Sequence, residues 1–561
     1  MTATYTPAAD ARLAASVLLL RDGAGPPGSV EVLMIVRAER AGDNRSGAAV
    51  FPGGMVDPGD RTSHAWCVGA DDAKLSAELG LTGGGLDYAV AALRECFEEV
   101  GVLVACRPDG TPFDSVAQHA ELFPWRARLN SGQATLAELC STFNIRLDMR
   151  GLAYYSHWLT PPGMPKRFDT RFFCMLTPDR LQPEVDGTET TSLRWTTPAA
   201  ALAPDSGLTL MPVTRRTLQN LAKFATAQEA FEQAKTQTDI PLMMPRVALL
   251  RGKRHVVLPN ELPYAEVGKL DPHGVKADVS AELVPGVPVQ LSPRVWRVTA
   301  PNPGPMTGPG TNSYLVGCPQ TNTWTVIDPG PHIESHLHSL QSAAPGRIDR
   351  ILVTHTHNDH SPLAAALSQA SGAPVFGRRA AHPMWQDTSF APQAELTHGE
   401  RIVLGQTTTL RVIHTPGHAS NHLCFLLEEE QLLFTGDHVM QGSTVVINPP
   451  DGDMSAYLRS LQALINEPLQ WLAPGHGFLV AQPYQVLKDL VAHRLRREAR
   501  VVSALAQHAP CAIDTLLPTV YADVAPALYP MARRSLLAHL LKLQDDGAAQ
   551  CENDVWRNLN V

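Results

Sequence analysis

Apolar residues along the chain gather in short runs separated by Gly- and Pro-rich breaks, and the spacing within the runs switches between two periods. Ala14–Leu20 and Glu31–Val36 read as strands, Tyr88–Val100 as an amphipathic helix, and Arg171–Leu176 and Ser192–Trp195 as further strands. Residues 241–290 carry seven prolines in fifty positions with no sustained period, which predicts a linker. Alternation then resumes. Strands are predicted at Thr323–Ile327, Ile348–Val353, Leu410–Ile413, Leu423–Leu427 and Leu432–Phe434, with a helix over Pro362–Ala370. From Tyr484 the pattern turns helical (Gln485–Gln507, Ile513–Tyr521, Met531–Leu543) and ends in a segment, 547–559, able to form a hairpin. The expected organisation is a multidomain α/β chain: 1–240, a linker over 241–290, a second α/β unit over 291–483 and a small cap over 484–561.

Composition narrows this. A length of 561 residues allows several cores, and 44% hydrophobic with 18% charged residues fits a globular chain. The net charge of -9 argues against a dedicated nucleic-acid binder and leaves a local basic patch open. The apolar run Leu13–Leu20 is too short to span a bilayer, and neither a basic region before it nor a small-residue cleavage site after it is evident. A buried strand and a cytoplasmic location, with no membrane partner, are expected. Nine cysteines with no C-x-x-C pair read as core thiols of a reducing compartment.

Within the first helix, Leu93, Cys96, Phe97 and Val100 follow i, i+3, i+4, i+7 spacing, while Glu95, Glu98 and Glu99 share the other face. Like charges so spaced repel by roughly 0.2–0.5 kcal/mol per pair. A hard divalent cation with oxygen ligands would offset that, and a solvated acidic face is the plain alternative. Upstream stands Phe51-Pro52-Gly53-Gly54-Met55-Val56-Asp57-Pro58-Gly59-Asp60. Together with Arg94–Val102 it resembles the two ends of the Nudix box. The resemblance implies an α/β/α sandwich, Glu98 and Glu99 as main Mg²⁺ or Mn²⁺ ligands, Glu95 as a further ligand or base, and Arg94 as the residue orienting the carboxylates. Asp60 stands where the family usually has Glu, and an insertion, approximately Arg61 to Leu86, splits the box. The split box, with His157-Trp158-Leu159-Thr160-Pro161-Pro162 and Arg167–Phe173, looks like the branch containing coenzyme A diphosphatases. Arg167 and Arg171 could then hold a diphosphate bidentately, or be outward residues of an edge strand. Glu184 and Glu189 are alternative loop bases.

The most specific pattern is Thr354-His355-Thr356-His357-Asn358-Asp359-His360, directly after the strand Ile348–Val353. Three His and one Asp within six residues at a strand end call for a metal. Further donors stand in short turns: His418 after Thr415-Pro416-Gly417, Asp437 after Thr435-Gly436, and His476 after Pro474-Gly475. In order and spacing, these segments resemble the motifs of the metallo-β-lactamase superfamily, which implies an αββα sandwich. Carried over, His355, His357 and His418 would bind one Zn²⁺, Asp359, His360 and His476 a second, and Asp437 would bridge them. Asp359 would also assist proton transfer. His414, His422 and His438 are expected to be structural, and a helix starting at Pro362 is expected where the family has Gly.

Asn302–Tyr314, Gly442–Met454 and a winged-helix-like cap look like the branch that includes an endoribonuclease acting on single-stranded RNA. His493, Arg494, Arg496, Arg497, Arg500, Arg533 and Arg534 form a basic cluster. It could track phosphates or serve interdomain salt bridges, since residues 484–561 hold nine Lys/Arg against eight Asp/Glu. No signal peptide is present, so antibiotic hydrolysis is not expected. The sequence thus points to a bifunctional metal-dependent hydrolase. The C-terminal half would hydrolyse phosphodiester/RNA or ester/thioester substrates with two Zn²⁺. The N-terminal half would hydrolyse nucleoside-diphosphate-linked substrates, such as coenzyme A, with Mg²⁺. The alternative is an N-terminal sensor of nucleotide or coenzyme A that regulates a zinc thioesterase or ribonuclease.

Overall fold

A computed structural model describes residues 5–23, 29–37, 47–177, 183–185 and 190–559. The chain divides into two units, one covering 1–247 with 273–275 and the other 248–272 with 276–561.

In the first unit a mixed sheet is centred on strand β1 (Ala11–Asp22), whose residues 14–20 are all buried. It pairs antiparallel with β2 (Val30–Arg37) and β4 (Gly53–Met55), and β2 carries β3 (Ala48–Val50). Helix α1 (Gly85–Val100) lies against this sheet, its Leu93, Phe97 and Val100 sharing a core with Val17, Leu19 and Leu33. Strand β5 (Ala153–Leu159) runs antiparallel to β6 (Arg167–Leu176), which is parallel to β1, and β7 (Thr190–Thr196) closes on β2. Strand β6 is therefore internal. The expectation of an edge strand fails because both its faces and both its backbone edges are covered.

The proline-rich stretch carries ordered pieces. In the second unit Ala248, Val257 and Val267 form a small core, and the short helix α2 (Tyr264–Leu270) places Glu266 in the interior. Prolines there break the period without preventing local packing.

The remainder of that unit is a two-sheet sandwich. Strands β8 (Val295–Thr299), β9 (Asn312–Cys318), β10 (Thr323–Ile327) and β11 (Arg347–Leu352) belong to one sheet. Its outer face is covered by helix α3 (Ala364–Ser371), which starts two residues beyond the expected Pro362. The other sheet holds β12 (Thr408–His414), β13 (Leu423–Leu427), β14 (Leu432–Gly436) and β15 (Trp471–Pro474), with α4 (Met454–Leu464) packed outside. Between the sheets Val316, Ile327, Leu410, Phe425 and Phe434 form the shared core. Helix α5 (Pro483–His508) joins the sandwich to the cap: Leu487 sits in the sandwich core and Val501, Ala504 and Leu505 in the cap core. The cap adds α6 (Ile513–Val520), α7 (Tyr529–Asp545) and the hairpin β16 (Ala549–Glu552) and β17 (Val555–Asn558), a winged-helix arrangement. Among the described residues no helix is long and apolar enough to cross a membrane, and all nine cysteines are free.

Candidate metal centres

The C-terminal turns of the sandwich converge. The parallel pairs β10/β11 and β14/β15 bring their strand ends to one side, and the segments following β11, β12, β14 and β15 deliver the donors. They form two groups, His355/His357/His418 and Asp359/His360/Asp437/His476, with one donor atom from each residue within 4.8 Å of the others in its group. Asp437 faces both groups: Oδ2 lies 3.8 Å from His418 Nε2, and Oδ1 lies 3.4 Å from His360 Nε2 and 3.3 Å from His476 Nε2. The glycines in these turns are needed. A Cβ on Gly475 would press on Asp437 Oδ1 and His360, and one on Gly436, at φ +44°, would press on Thr354 and His422.

Four of the five donor rings are aimed from behind. His418 Nδ1 donates to the Val446 carbonyl at 2.8 Å, His476 Nδ1 to the Gly310 carbonyl at 3.1 Å, and His360 Nδ1 to Asp328 Oδ2 at 2.9 Å. Asp328 also accepts from the Thr354 N–H and hydroxyl, both at 2.7 Å, and His355 Nδ1 lies 3.0 Å from that hydroxyl. These partners fix the tautomers, so the opposite nitrogens face the centre. Nε2 of His355, His360 and His476 and Oδ1 of Asp437 are buried without a hydrogen-bond partner among the described residues. Orphaned atoms of this kind, converging, fit a metal ion.

Electrostatics agree with that fit. Burial holds His355 and His418 below their ordinary range and takes His357 to about 3, so this group offers neutral lone pairs. In the second group burial opposes protonation, but Asp437 and Asp359 outweigh it and lift His476 to about 10. Burial likewise opposes charge on His360, which Asp359, Asp437 and Asp328 keep protonated. The same carboxylates that favour protonation of these two rings would favour a divalent cation, and binding one would release protons.

Asp328 was not among the expected residues. Its signal is the run Thr323–Ile327 ending in Asp328-Pro329-Gly330, an acidic turn after an apolar strand like the other motifs. His422 stacks on His355 at 5.0 Å, His438 packs edge-on to Tyr457, and His414 bonds the Ser420 carbonyl. A buried bidentate pair, Glu266–Arg297 at 2.6 and 2.8 Å, also escaped the sequence; Glu266 additionally accepts from the Leu479 N–H, three residues past His476.

In the first unit, Arg94 is the hub of the carboxylates. It donates to Asp60 at 2.8 Å, Glu95 at 2.9 Å, Glu98 at 3.3 Å and the Met55 carbonyl at 2.8 Å. The insertion folds onto the same core through Leu75, Leu79 and Leu81, and Asp60, at 2% exposure, reaches the helix despite the split. Gly53 N–H donates to Glu99 at 2.8 Å, and a Cβ on Gly54 would collide with the Glu95 carboxylate. Burial pushes Glu98 up to about 7, Glu95 and Asp60 push the same way, and Arg94 opposes them. Buried, mutually repelling oxygens fit a hard cation. They are not among the donor groups that close within 4.8 Å.

Arg171 and Arg167 lie away from this helix face in their contacts. Arg171, 1% exposed, donates to the Leu79 carbonyl and Tyr154 hydroxyl and is walled by Tyr5, Tyr88 and Tyr154. Arg167 is held by Asp10 and the Thr160 carbonyl. Arg171 is thus a buried guanidinium in an internal strand, which corrects the alternative of an outward edge-strand residue. His157 belongs to the same interior, bonding Asp169 at 2.7 Å. Glu184 is exposed beside His119, and Glu189 lies outside the described residues.

The basic cluster of the cap is largely committed: Arg494 donates to the Val445 carbonyl, Arg497 and Arg500 pair with Asp523, and Arg533 pairs with Asp514.

Comparison with known proteins adds three family matches. The metallo-beta-lactamase superfamily model matches residues 306–476, the NUDT19 Nudix domain model 83–205 and the beta-lactamase associated winged helix domain model 512–556. An atrochrysone carboxyl ACP thioesterase of Aspergillus chevalieri is 34% identical over 223 residues, 38% of this chain and 67% of its own. Lactamase-like protein aptB of Emericella nidulans is 31% identical over 40% of this chain and 69% of its own. A beta-lactamase-like protein 2 homolog of Caenorhabditis elegans is 27% identical over 46% of this chain and 88% of its own. The chain spans about two thirds of the length of the thioesterases it matches. Among solved structures, a NUDIX hydrolase from Alicyclobacillus acidocaldarius aligns at 30% identity over 40% of this chain and 96% of that one, with a TM-score of 0.33.

Proposed function

The chain belongs to the metallo-β-lactamase superfamily, with a Nudix domain before the lactamase-type domain and a winged helix after it, and we propose that it is a bifunctional hydrolase: a binuclear zinc thioesterase joined to a Mg²⁺- or Mn²⁺-dependent diphosphatase. The observation that carries the first activity is Asp437, with one oxygen toward each donor group. In this reading His355, His357 and His418 hold one ion, Asp359, His360 and His476 the other, and Asp437 stands between them. Bound zinc would lower the pKa of water to near 7 and polarise a carbonyl. The chain's own residues do the rest. Asp328 fixes the His360 ring, and Asp359 Oδ2, 3.5 Å from the Thr311 hydroxyl, holds the proton taken from water and passes it to the departing thiol.

A thioester is favoured over RNA by two observations. The similar curated proteins include several named thioesterases, and most of the cap's arginines are neutralised by neighbouring carboxylates or bound to carbonyls. Free thiols throughout support a reducing, cytoplasmic setting. For the N-terminal half, Glu98 and Glu99, with Glu95, would hold the cation, and Arg94 would keep the carboxylates apart and aimed. Its substrate class is a nucleoside-diphosphate-linked molecule such as coenzyme A. The sensor reading of this half is favoured by the looser carboxylate set and by the commitment of Asp60 to Arg94.

Mass spectrometry of products tests both. Acyl-coenzyme A, free coenzyme A and a short single-stranded RNA are offered with Zn²⁺ and Mg²⁺. Free acid should form and vanish in Asp437→Ala, while diphosphate cleavage should vanish only in Glu98→Gln. RNA fragments without free acid would replace the thioester reading, and absent diphosphate cleavage would leave the sensor.

A further inference from the structure

Outside the donor set, one exposed feature is tied directly to the C-terminal metal centre. Trp385 is 54% exposed and its backbone sits at φ +71°, a conformation that a bulky L-residue adopts only under strain. Met384 beside it is equally exposed. The segment is fastened to the centre: Gln386 bridges His357 in a β-type pair, Asp387 N–H donates to the Thr356 carbonyl at 2.6 Å, and the Thr356 hydroxyl donates to Gln386 at 2.7 Å. Gln386 in turn donates to Asp451 at 2.9 Å. The strain is thus imposed by a network that also positions the backbone of a histidine donor. Over the exposed indole lies Arg534 of α7, its guanidinium carbon 5.0 Å from the ring. Arg533, its neighbour, pairs with Asp514 at 2.7 Å, whereas Arg534 makes no ion pair among the described residues.

We propose that Trp385 and Arg534 form the subsite that receives the phosphate-bearing pantetheine arm of the acyl thioester, the arm's aliphatic part lying on Trp385 and Met384 and its phosphate on Arg534. The proposal deepens the thioester reading above and rests on it for the identity of the arm. A strained, exposed aromatic beside a reaction centre is unfavourable for folding alone, since both the backbone and the apolar surface are left unsatisfied; a ligand supplies the missing partner. Arg534 offers a planar cation with donors for a phosphate while its other face stays on the indole. One platform and one unpaired cation suit a single phosphate on a flexible arm. A single-stranded nucleic acid needs successive platforms and a cationic track, and Arg497, Arg500 and Arg533 are already paired.

Titration calorimetry on the full chain, with phosphopantetheine and pantetheine as separate probes, tests the assignment. Phosphopantetheine should bind on the order of tenfold tighter, the effect of one charge-assisted contact. Arg534→Ala should collapse that ratio toward one, and Arg534→Lys should keep part of it. Trp385→Gly should weaken both probes without lowering the thermal midpoint, because glycine accepts the positive φ. A ratio that survives Arg534→Ala, or a Trp385→Gly protein that binds both probes like wild type, overturns the subsite. So does an Arg534→Ala protein that loses affinity for a short single-stranded RNA and keeps it for phosphopantetheine. Absence of thioester turnover with the ratio intact would sink the hydrolytic reading and leave the subsite standing.

Discussion

In the N-terminal half three carboxylates come from one helix face and are spread by one guanidinium; in the C-terminal half seven donors arrive from four strand-end segments, and four of the five imidazoles are aimed from behind by a partner of their own. The first arrangement is cheap in sequence, since helix periodicity alone makes Glu95, Glu98 and Glu99 neighbours. Its weakness is electrostatic: burial and crowding lift Glu98 to about 7, and Arg94 is the counter-charge shared by Asp60, Glu95 and Glu98. The second arrangement needs two sheets to bring remote turns together. In return the rings are held neutral or charge-compensated, and their free nitrogens converge tightly. A helix-face site should therefore respond mainly to charge and pH, a strand-end site mainly to loss of positioning partners.

The largest expected effect breaks the positioning of the second site. Glu266→Ala leaves Arg297 buried and unpaired and frees Leu479 N–H, so the C-terminal half should lose about 3–5 kcal/mol in chemical denaturation. A loss below about 1 kcal/mol would show that the buried pair does not hold the His476 turn. Next comes the charge sensitivity of the first site. The folded Glu98 pKa, about 7, lies above its ordinary 4.5, so its stabilising proton is fully present below about pH 4.5 and is lost as pH rises through 7. With metal chelated, the N-terminal half should lose on the order of 3 kcal/mol between those limits. Glu98→Gln should flatten the slope and Mg²⁺ should reverse it; a flat wild-type profile contradicts the electrostatic account. Asp328→Asn should then lower zinc affinity about 10- to 100-fold in chelator competition, while Mg²⁺ binding to the Nudix half stays as it was. Smallest is Arg500→Ala, an exposed pair with Asp523, expected within about 1 kcal/mol of wild type in thermal unfolding.

Much of this was legible in the sequence, for reasons that differ by site. The strand-end donors stand out because each follows an apolar run, and His418, Asp437 and His476 also a glycine turn, so they and His355–His360 announce themselves locally. Asp328 uses the same grammar but is a single acid, which periodicity does not distinguish from a turn residue. Glu266 and Arg297 are 31 positions apart, and nothing local marks either as buried. For Arg171, alternation along Arg167–Phe173 allows an outward arginine; only the pairing of β6 with strands on both sides shows that no outward edge exists. The proline-rich 241–290 stretch lacks a period, yet its Glu266 is fixed by one buried ion pair, a tertiary contact invisible to windowed patterns.

If the two halves are separate metal-dependent hydrolytic centres, each can be broken without the other. Metal content by elemental analysis, measured together with thioester and diphosphate turnover on wild type, Glu98→Gln and Asp437→Asn, tests it most directly. A double dissociation is expected. Asp437→Asn should lose zinc and thioester hydrolysis while keeping Mg²⁺-dependent diphosphate cleavage, and Glu98→Gln should do the reverse. Both activities falling together in either variant, or diphosphate cleavage persisting undiminished in Glu98→Gln, would contradict it.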